Sequence, residues 1–548
     1  MASFPAYGGP RRLDSPSGSD EKASAWRPLS EPLFLSLWIA ALASNIGTWM
    51  QNVGAAWLMT SLSSSALMVA LIQTASSLPI FLLALPAGAL ADVVDRRRLL
   101  LFSQAWMLVA AGLLGTLTLS GTATPVALLV LSFALGVGAA LNAPAWQAIV
   151  PEVVAREDLA NAIALNGINF NIARAIGPAL GGLVISLISV GATFILNALS
   201  FLGVMIVLHR WKRVHNPGLL PAERVVGAMR AGLRYLRYAP PLRAVLLRTA
   251  AFIIGGSAMW AILPLVARYQ LDMKASGYGV LLGCFGAGAV GGGAYLPRLS
   301  RRLSTDLIVA GTSMIFALVT AELAIVHNSL VAYLTMALGG ASWVVVMAEI
   351  NVAAQLAVPL WVQGRALSCY QIVVQGGMAL GALMWGAVAQ RLSVRVAMLG
   401  AAGAIVIGIF SMLRYRLAAV REMVLDPLPA QPPPRPESAI SNDSGPVLVT
   451  VEYAIDPAQA AEFEEAMLGL RTIRLRDGAV SWGLFFDVTQ LNRYVEYFVV
   501  DSWVEHLRQH GRATVADLYI RERVRRFQRD ERPPIVSHQL AAQSLRRK

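Results

Sequence analysis

The chain has 548 residues, 56% hydrophobic and only 14% charged, with a mean hydropathy of +0.58. This composition excludes an ordinary water-soluble globular protein and describes a polytopic membrane protein, whose first partner is the lipid bilayer. The formal net charge of +13 fits either a nucleic-acid partner or basic loops on one side of a bilayer; the placement of those charges favours the second, so no nucleic-acid partner is expected.

Residues 1–30 are rich in Gly, Pro, Ser, Asp and Arg and lack the apolar core and small-residue cleavage site of a secretory signal. They read as a disordered cytoplasmic tail. From Leu33 onward, apolar runs recur that are long enough to cross roughly 30 Å of hydrocarbon as helices. Twelve are placed, near 33–59, 65–91, 98–119, 124–149, 162–187, 190–209, 243–267, 276–297, 304–326, 329–356, 365–389 and 393–414. Arg96, Arg97 and Arg98, Arg156, the basic residues between Arg210 and Arg243, and Arg298, Arg301, Arg302 and Arg365 fall on alternate connections. Lys and Arg collect on the side where they need not be translocated, so both termini are expected in the cytoplasm of a bacterial inner-membrane protein. Cys284 and Cys369 lie inside apolar runs and read as small buried hydrophobes.

The 31–209 segment forms one six-helix bundle, 210–242 a cytoplasmic linker, and 243–418 a second six-helix bundle. Within the linker, GAMRAGLRYLRYAPPLRAVL reads as a basic amphipathic helix at the headgroups. The bundles repeat. QAIVP at 147–151 returns as QLAVP at 355–359, GPALGG at 177–182 as GMALGA at 377–382, and the charged GALADVVDRRR at 88–98 as a worn copy in GAYLPRLSRR at 293–302. The same order at similar offsets points to two parallel repeats.

GALADVVDRRR resembles the loop between spans two and three of the major facilitator superfamily, roughly G-x-L-A-D-R-x-G-R-R. Gly88, Leu90, Ala91, Asp92, Arg96 and Arg97 match; Val93 and Asp95 stand where an arginine and a glycine are usual. RAIGPALGG resembles the span-five motif of the drug-exporting branch, with Ala173 in place of the opening glycine. IVPEVVAREDLANAIALN and GRALSCYQIVVQGG, with the tail domain, resemble more narrowly the branch holding the enterobactin exporter and the transmembrane secretion effectors. The resemblance implies alternating access and, through the branch, export of a siderophore, drug or lipophilic metabolite, with proton coupling open. Uptake by the same fold is the nearer rival.

On this reading Gly88 allows close helix approach, Asp92 faces the positive N-terminal end of span eleven, and Arg96 and Arg97 reach acids such as Glu152. Together they would latch the halves on the cytoplasmic side, although the arginines also satisfy topology alone. Ionisable residues inside a membrane are costly and mark cavities or partners. Arg174 should reach mid-bilayer, with Asn171 on the same helical face, either attracting an anionic substrate or pairing internally. Asn45 and Gln51 of span one and Gln375 of span eleven complete a polar, substrate-binding lining. Glu349 is the membrane carboxylate suited to proton coupling, or else a buried partner of Asn351, Gln355 or Arg174.

The proline-rich 419–445 segment reads as a linker to a soluble domain at 446–548. Its strand, helix, strand, strand, helix, strand order is ferredoxin-like and resembles antibiotic-biosynthesis monooxygenase domains. The resemblance implies dimerisation through the sheet, or regulation; a membrane-tethered monooxygenase is the alternative. His506 and His510 share a helical face at i, i+4, which an exposed surface explains without a metal. No catalytic constellation, metal site or cofactor is read in the chain. The expected whole is an all-α membrane unit of twelve transmembrane helices in two parallel repeats plus a C-terminal α+β domain, transporting a small-molecule substrate.

Overall fold

The computed structural model describes residues 26–211, 234–413, 415–417, 440–441, 443–490, 492–529 and 533–541. Most of the predicted N-terminal tail, most of the 210–242 linker and most of the proline-rich linker lie outside the described residues, as does the side chain of Asp92. Of the predicted amphipathic helix, 227–233 lie outside them, 234–238 are helical, and the stretch from Pro240 onward belongs to the first helix of the second bundle. The end of the predicted tail is ordered. Arg27–Ser30 forms a 3-10 turn, and Arg27 meets Asp158 at 3.5 Å.

The first bundle comprises α1 (Pro32–Leu62), α2 (Ala66–Val93), α3 (Arg96–Leu119), α4 (Pro125–Val153), α5 (Leu159–Leu187) and α6 (Val190–Arg210). The second comprises α7 (Pro240–Leu265), α8 (Ala275–Ser300), α9 (Thr305–Leu323), α10 (Ser329–Leu356), α11 (Gln363–Arg391) and α12 (Val394–Ile409). Polar residues in the short connections start many of these helices. Ser65, Thr124, Ser189, Asn328 and Ser393 each accept a bond from a first-turn backbone N–H, which satisfies a donor that has no intrahelical partner.

Among the described residues eleven helices are long and apolar enough to cross a bilayer. The twelfth predicted span is shorter: α12 has 16 residues and runs into a 3-10 turn at Phe410–Leu413. Large apolar side chains stay exposed along the bundle's outside, including Leu187 at 74%, Ile407 at 73% and Leu334 at 66%. Such a surface suits hydrocarbon rather than water.

The repeat read from sequence has a counterpart in packing. In the first bundle α1 packs on α5 and α6, and α4 and α6 on α3, with α2 on α4. Six helices on, α7 packs on α11 and α12, α10 and α12 on α9, and α8 on α10. The bundles meet through α2 with α11 and α5 with α8, two contacts that the same six-helix shift exchanges. That relation describes a pseudo-twofold axis between them.

The tail domain is a four-stranded antiparallel sheet of order β2-β3-β1-β4, with β1 (Val447–Ala454), β2 (Ala479–Phe486), β3 (Arg493–Val500) and β4 (Ile535–Leu540). Helices α13 (Ala460–Asp477), α14 (Trp503–His510) and α15 (Val515–Arg525) accompany it. Alternate residues of β1 and β3 are buried, as the period-two pattern of a sheet with one covered face requires. Glu496 is fully buried in that core, yet its carboxylate accepts two bonds from Arg474 (3.0 and 3.2 Å), one from the Tyr453 hydroxyl (3.0 Å) and one from Trp482 Nε1 (2.9 Å). Burial alone would push its pKa up, but Arg474 and these donors outweigh it and hold the carboxyl below its ordinary value.

The domain sits against the second bundle. Arg512 lies 4.5 Å over the ring of Trp361, Arg476 lies 5.9 Å over Tyr235, and Arg234 meets Glu505 at 3.5 Å. Trp361 follows α10 and Tyr235 precedes α7. We call this face of the bundle the tail side, and the opposite face, bearing the α1–α2, α5–α6 and α7–α8 connections, the far side.

Candidate functional site

On the far side the two bundles are sealed together. Arg268, in the π-turn Val266–Gln270 that ends α7, donates to the hydroxyls of Thr60 (2.9 Å) and Ser61 (2.6 Å) of α1. Its guanidinium also lies 5.4 Å over Trp57, and Trp57 stacks on Tyr278 of α8 at 5.9 Å. The Tyr269 hydroxyl donates to the Thr60 carbonyl at 3.3 Å. Below this layer α5 and α8 approach closely. A Cβ at Gly182 would lie 2.9 Å from the Gly279 Cα, and one at Gly286 would lie 2.5 Å from the Ala175 Cα. Small residues here let two backbones touch.

Arg174 lies near the middle of the 29-residue α5, just tail-side of that contact. Its guanidinium is 5.3 Å over the ring of Phe285 on α8. Phe285 meets Trp260 of α7 at 5.1 Å, Trp260 meets Trp49 of α1 at 6.2 Å, and Trp49 meets Phe170 of α5 at 6.2 Å. Both bundles thus contribute to one aromatic cluster around one cation. Arg174 Nε and Trp260 Nε1 are buried without a hydrogen-bond partner. Asn171, one turn tail-side, is exposed and donates to the Gly167 carbonyl at 2.9 Å.

The remaining predicted lining residues divide. Asn45 donates to Asn169 at 3.0 Å, and Asn169 to the Trp38 carbonyl at 2.7 Å, so this pair fastens α1 to α5. Gln51 is buried and accepts from Asn197 of α6 at 2.6 Å; it is a packing residue rather than a lining one. Gln375 is half-buried on α11, next to Gly376, where a Cβ would meet the Phe81 ring of α2. Glu349 is 2% exposed and accepts from Ser300, the last residue of α8, at 2.7 Å. It therefore lies towards the tail-side end of α10, packed against α8.

Of the predicted latch, the Arg96–Glu152 contact is present, while the side chain of Asp92 lies outside the described residues. Arg96 donates to Glu152 at 2.7 Å and to the Ala148 carbonyl at 3.2 Å. Arg97 donates to the carbonyls of Leu208 (2.8 Å) and His209 (2.6 Å), the last turn of α6. These contacts all lie within the first bundle, so in this conformation they brace its tail-side end rather than bridging the bundles. A Cβ at Gly88 would meet nothing within 4 Å, so no close helix approach requires that glycine here. Asp95 is an N-cap, accepting from the Arg98 N–H at 2.9 Å. Its counterpart by repeat is Ser300. In the second bundle a buried Arg248–Asp306 pair joins α7 to α9, and Asp306 also accepts from the Leu417 N–H at 3.0 Å.

His506 and His510 correct another expectation: they do not lie on an open helix face. His506 is 3% exposed, with its ring 4.9 Å from His510 and 4.8 Å from His538 of β4. Trp49, Trp260, Phe285 and Arg268 carried no separable signal in the sequence, because aromatic residues in apolar runs look like core and Arg268 looked like a loop cation.

A family model described as transmembrane secretion effector matches residues 23–546. The staphyloferrin A transporter of Staphylococcus aureus is 24% identical over 300 residues, covering 54% of this chain and 74% of its own length. The multidrug efflux pump Tap of Mycolicibacterium fortuitum is 28% identical over 221 residues, covering 39% of this chain and 54% of that pump. A bacterial homologue of the human lysosomal transporter Spinster, solved inward-facing and unoccupied, has the same fold with a TM-score of 0.53 at 14% identity, over 74% of this chain and 97% of that one. The match over nearly the whole chain, with a sealed two-bundle membrane unit, makes the protein a transporter and not an enzyme. The chain belongs to the transmembrane secretion effector family of the major facilitator superfamily.

Proposed function

We propose that the protein exports an anionic small molecule bearing an aromatic or catechol-like face across the bacterial inner membrane, by alternating access. The observation that carries this reading is the pair of unpartnered donors, Arg174 Nε and Trp260 Nε1, in an aromatic cluster built by both bundles beneath the far-side seal. A buried donor left unpaired costs about 1–3 kcal/mol; ligand oxygens would satisfy the two donors, and the rings would stack on the ligand's body. The names of the staphyloferrin A transporter and of the multidrug pump support a small-molecule cargo and, for the pump, efflux.

On this reading the tail side is cytoplasmic, α12 with its 3-10 extension is a twelfth span, and both termini face the cytoplasm. The strand order β2-β3-β1-β4 supports a ferredoxin-like tail. Its open sheet face, with Phe485 stacked on Tyr497 at 5.6 Å, supports pairing with a second copy. Glu349, buried where α8 and α10 end, is the carboxylate proposed to take up a proton during the cycle.

The test is transport in inverted membrane vesicles with and without an imposed pH gradient, using a labelled catecholate, a labelled citrate-type siderophore and a cationic dye. Export predicts accumulation of an anionic cargo in inverted vesicles and none in right-side-out vesicles. Accumulation only in right-side-out vesicles establishes uptake, and preference for the cationic dye removes the anionic assignment.

A further inference from the structure

The tail domain holds a cavity of about 610 Å³ between α13, α14, α15 and strands β1 and β4, within the size range of small-molecule sites. Much of its wall is apolar, from Val449, Val451, Leu470, Phe498 and Val536. Its polar groups come chiefly from two helices: His506, Gln509 and His510 on α14, and Arg521 and Arg525 on α15, with His538 facing them from β4.

Several of these groups are unsatisfied. Neither ring nitrogen of the 3%-exposed His506 has full hydrogen-bond geometry, its one side-chain neighbour in reach being the Gln509 amide, and Gln509 Nε2 and Arg521 Nε are likewise buried without a bond of full geometry. Well-packed domains rarely leave such atoms together, because each costs about 1–3 kcal/mol. The charges on the wall are unequal as well. Arg474 is matched by Glu496, and Arg476 is shared by Asp477 at 2.8 Å and Asp517 at 2.7 Å. No acid lies within ion-pair distance of Arg521 or Arg525 among the described residues, although Asp477 and Asp517 act on Arg521 at longer range. The cavity is therefore apolar in body, with two arginines, Arg521 and Arg525, that no acid contacts directly among the described residues at one end. The three imidazoles do not form a metal set: among the described residues no group of three or more His, Cys, Asp or Glu is arranged to hold a metal ion.

The geometry points to a second binding site, in the tail domain and separate from the membrane path, for an acidic, largely apolar small molecule held by Arg521, Gln509 and His506. A carboxylate or phenolate there pairs with the Arg521 guanidinium and accepts from the Gln509 amide and a His506 ring N–H. The apolar body lies against Val449, Val451 and Val536.

The test uses the full chain in lipid nanodiscs with Arg174→Ala, which removes the cation of the membrane cluster and keeps failure here distinct from failure of the transport reading. Equilibrium dialysis compares 2-naphthoate with neutral 2-naphthamide, each corrected for empty nanodiscs. Saturable binding of one naphthoate per chain is expected, about tenfold tighter than the amide. Arg521→Gln should bring the two within about twofold while amide binding is retained, and Arg521→Lys should restore part of the preference. If Arg521→Gln loses amide binding too, His506→Gln replaces it and should weaken naphthoate selectively. No saturable naphthoate binding, equal affinity for the amide, or a preference unchanged by both Arg521→Gln and His506→Gln would overturn the assignment.

Discussion

Arg268 and Thr60 join the two bundles: the guanidinium at the end of α7 donates to a hydroxyl at the end of α1 at 2.9 Å, with Ser61 held beside it at 2.6 Å. Around this pair the far side is closed, while on the tail side the braces made by Arg96, Arg97 and Arg248 each stay within one bundle. A transporter in such a state must break the Arg268 layer to present its site to the other side of the membrane.

Arg268→Ala should therefore shift the conformational balance. A hydrogen bond to a charged group contributes about 1.5–3 kcal/mol, so removing the half-buried one to Thr60, with the exposed one to Ser61, should move the population towards far-side opening by about tenfold. Spin labels at Ser64 and Lys274, in a background lacking Cys284 and Cys369, report the spacing across the seal by pulsed dipolar spectroscopy. A distance distribution identical to that of the parent would show that Trp57 and Tyr278 close this face without Arg268.

Arg96 and Arg97 should separate in their effects. Arg96 pairs with Glu152 in a partly exposed bridge, a type of contact worth about 0–1 kcal/mol. Arg97 satisfies two carbonyls at the end of α6, where a cation also meets the negative end of the helix dipole. Arg97→Ala should lower the thermal unfolding midpoint clearly more than Arg96→Ala. The reverse order would assign the Arg96–Glu152 bridge a weight its exposure does not explain.

The tail domain should lose stability on mild acidification. Burial pushes the His506 imidazole down to about 4, helped by the neighbouring His510 and His538, and burial also lowers His538. Between about pH 6.5 and pH 4 the unfolded chain binds a proton at His506 that the folded domain refuses, so stability falls with pH by up to roughly 3 kcal/mol. Glu496 and Asp517, held down by their arginine partners, keep their contributions through this window and lose them only below the ordinary carboxylate range. Asp477, which burial raises, opposes the lower part of the trend. Hydrogen exchange of β1 and α13 as a function of pH measures the slope, and His506→Gln should flatten it above pH 5. A slope unchanged by that substitution would place the titration on another group.

Trp361→Ala should loosen the dock of the tail domain. It removes the ring beneath Arg512 and the edge contact to the buried Tyr235 at 5.9 Å. A desolvated cation–π contact is worth about 1–2 kcal/mol, so amide exchange in α14 should quicken by roughly 5- to 30-fold while α13, whose buried Phe463, Met467 and Leu470 pack in the domain's own core, keeps its protection. Equal acceleration in both helices would mean that the domain itself, rather than its seat, depends on Trp361.

The two-bundle plan was legible because spans and repeats are written in long apolar runs and short phrases, and QAIVP and QLAVP do fall at equivalent ends of α4 and α10. Arg174 stood out for the same reason: a charge in hydrocarbon has no bland neighbours. Trp49, Trp260 and Phe285 did not, since what distinguishes them is convergence from three helices, a property no single run contains. Gln51 misled because a polar side chain in a span can serve helix packing as readily as a cavity, and only Asn197, 146 residues away, decides which. His506 and His510 misled similarly. Their spacing defines a helical face, but the third ring, His538, arrives from β4 at the end of the chain.

Arg174 and Glu349 carry the final prediction, which separates binding from coupling. Arg174 is aimed at an aromatic cluster with its Nε unpartnered, so Arg174→Ala should weaken binding of an anionic cargo by about tenfold or more while leaving the fold intact, because among the described residues no acid is orphaned by its loss. Arg174→Lys should recover binding poorly if the planar fork matters and well if charge alone does. Glu349 is buried at the tail-side end of α10 against Ser300, away from the aromatic cluster, so Glu349→Gln should spare binding. If its protonation gates the movement of α10 past α8, that substitution flattens the response of transport to a pH gradient at unchanged affinity. Full proton-driven transport by Glu349→Gln would leave Glu349 as a fastener between α8 and α10 and remove it from the coupling mechanism; unchanged binding by Arg174→Ala would move the cargo site away from the cluster altogether.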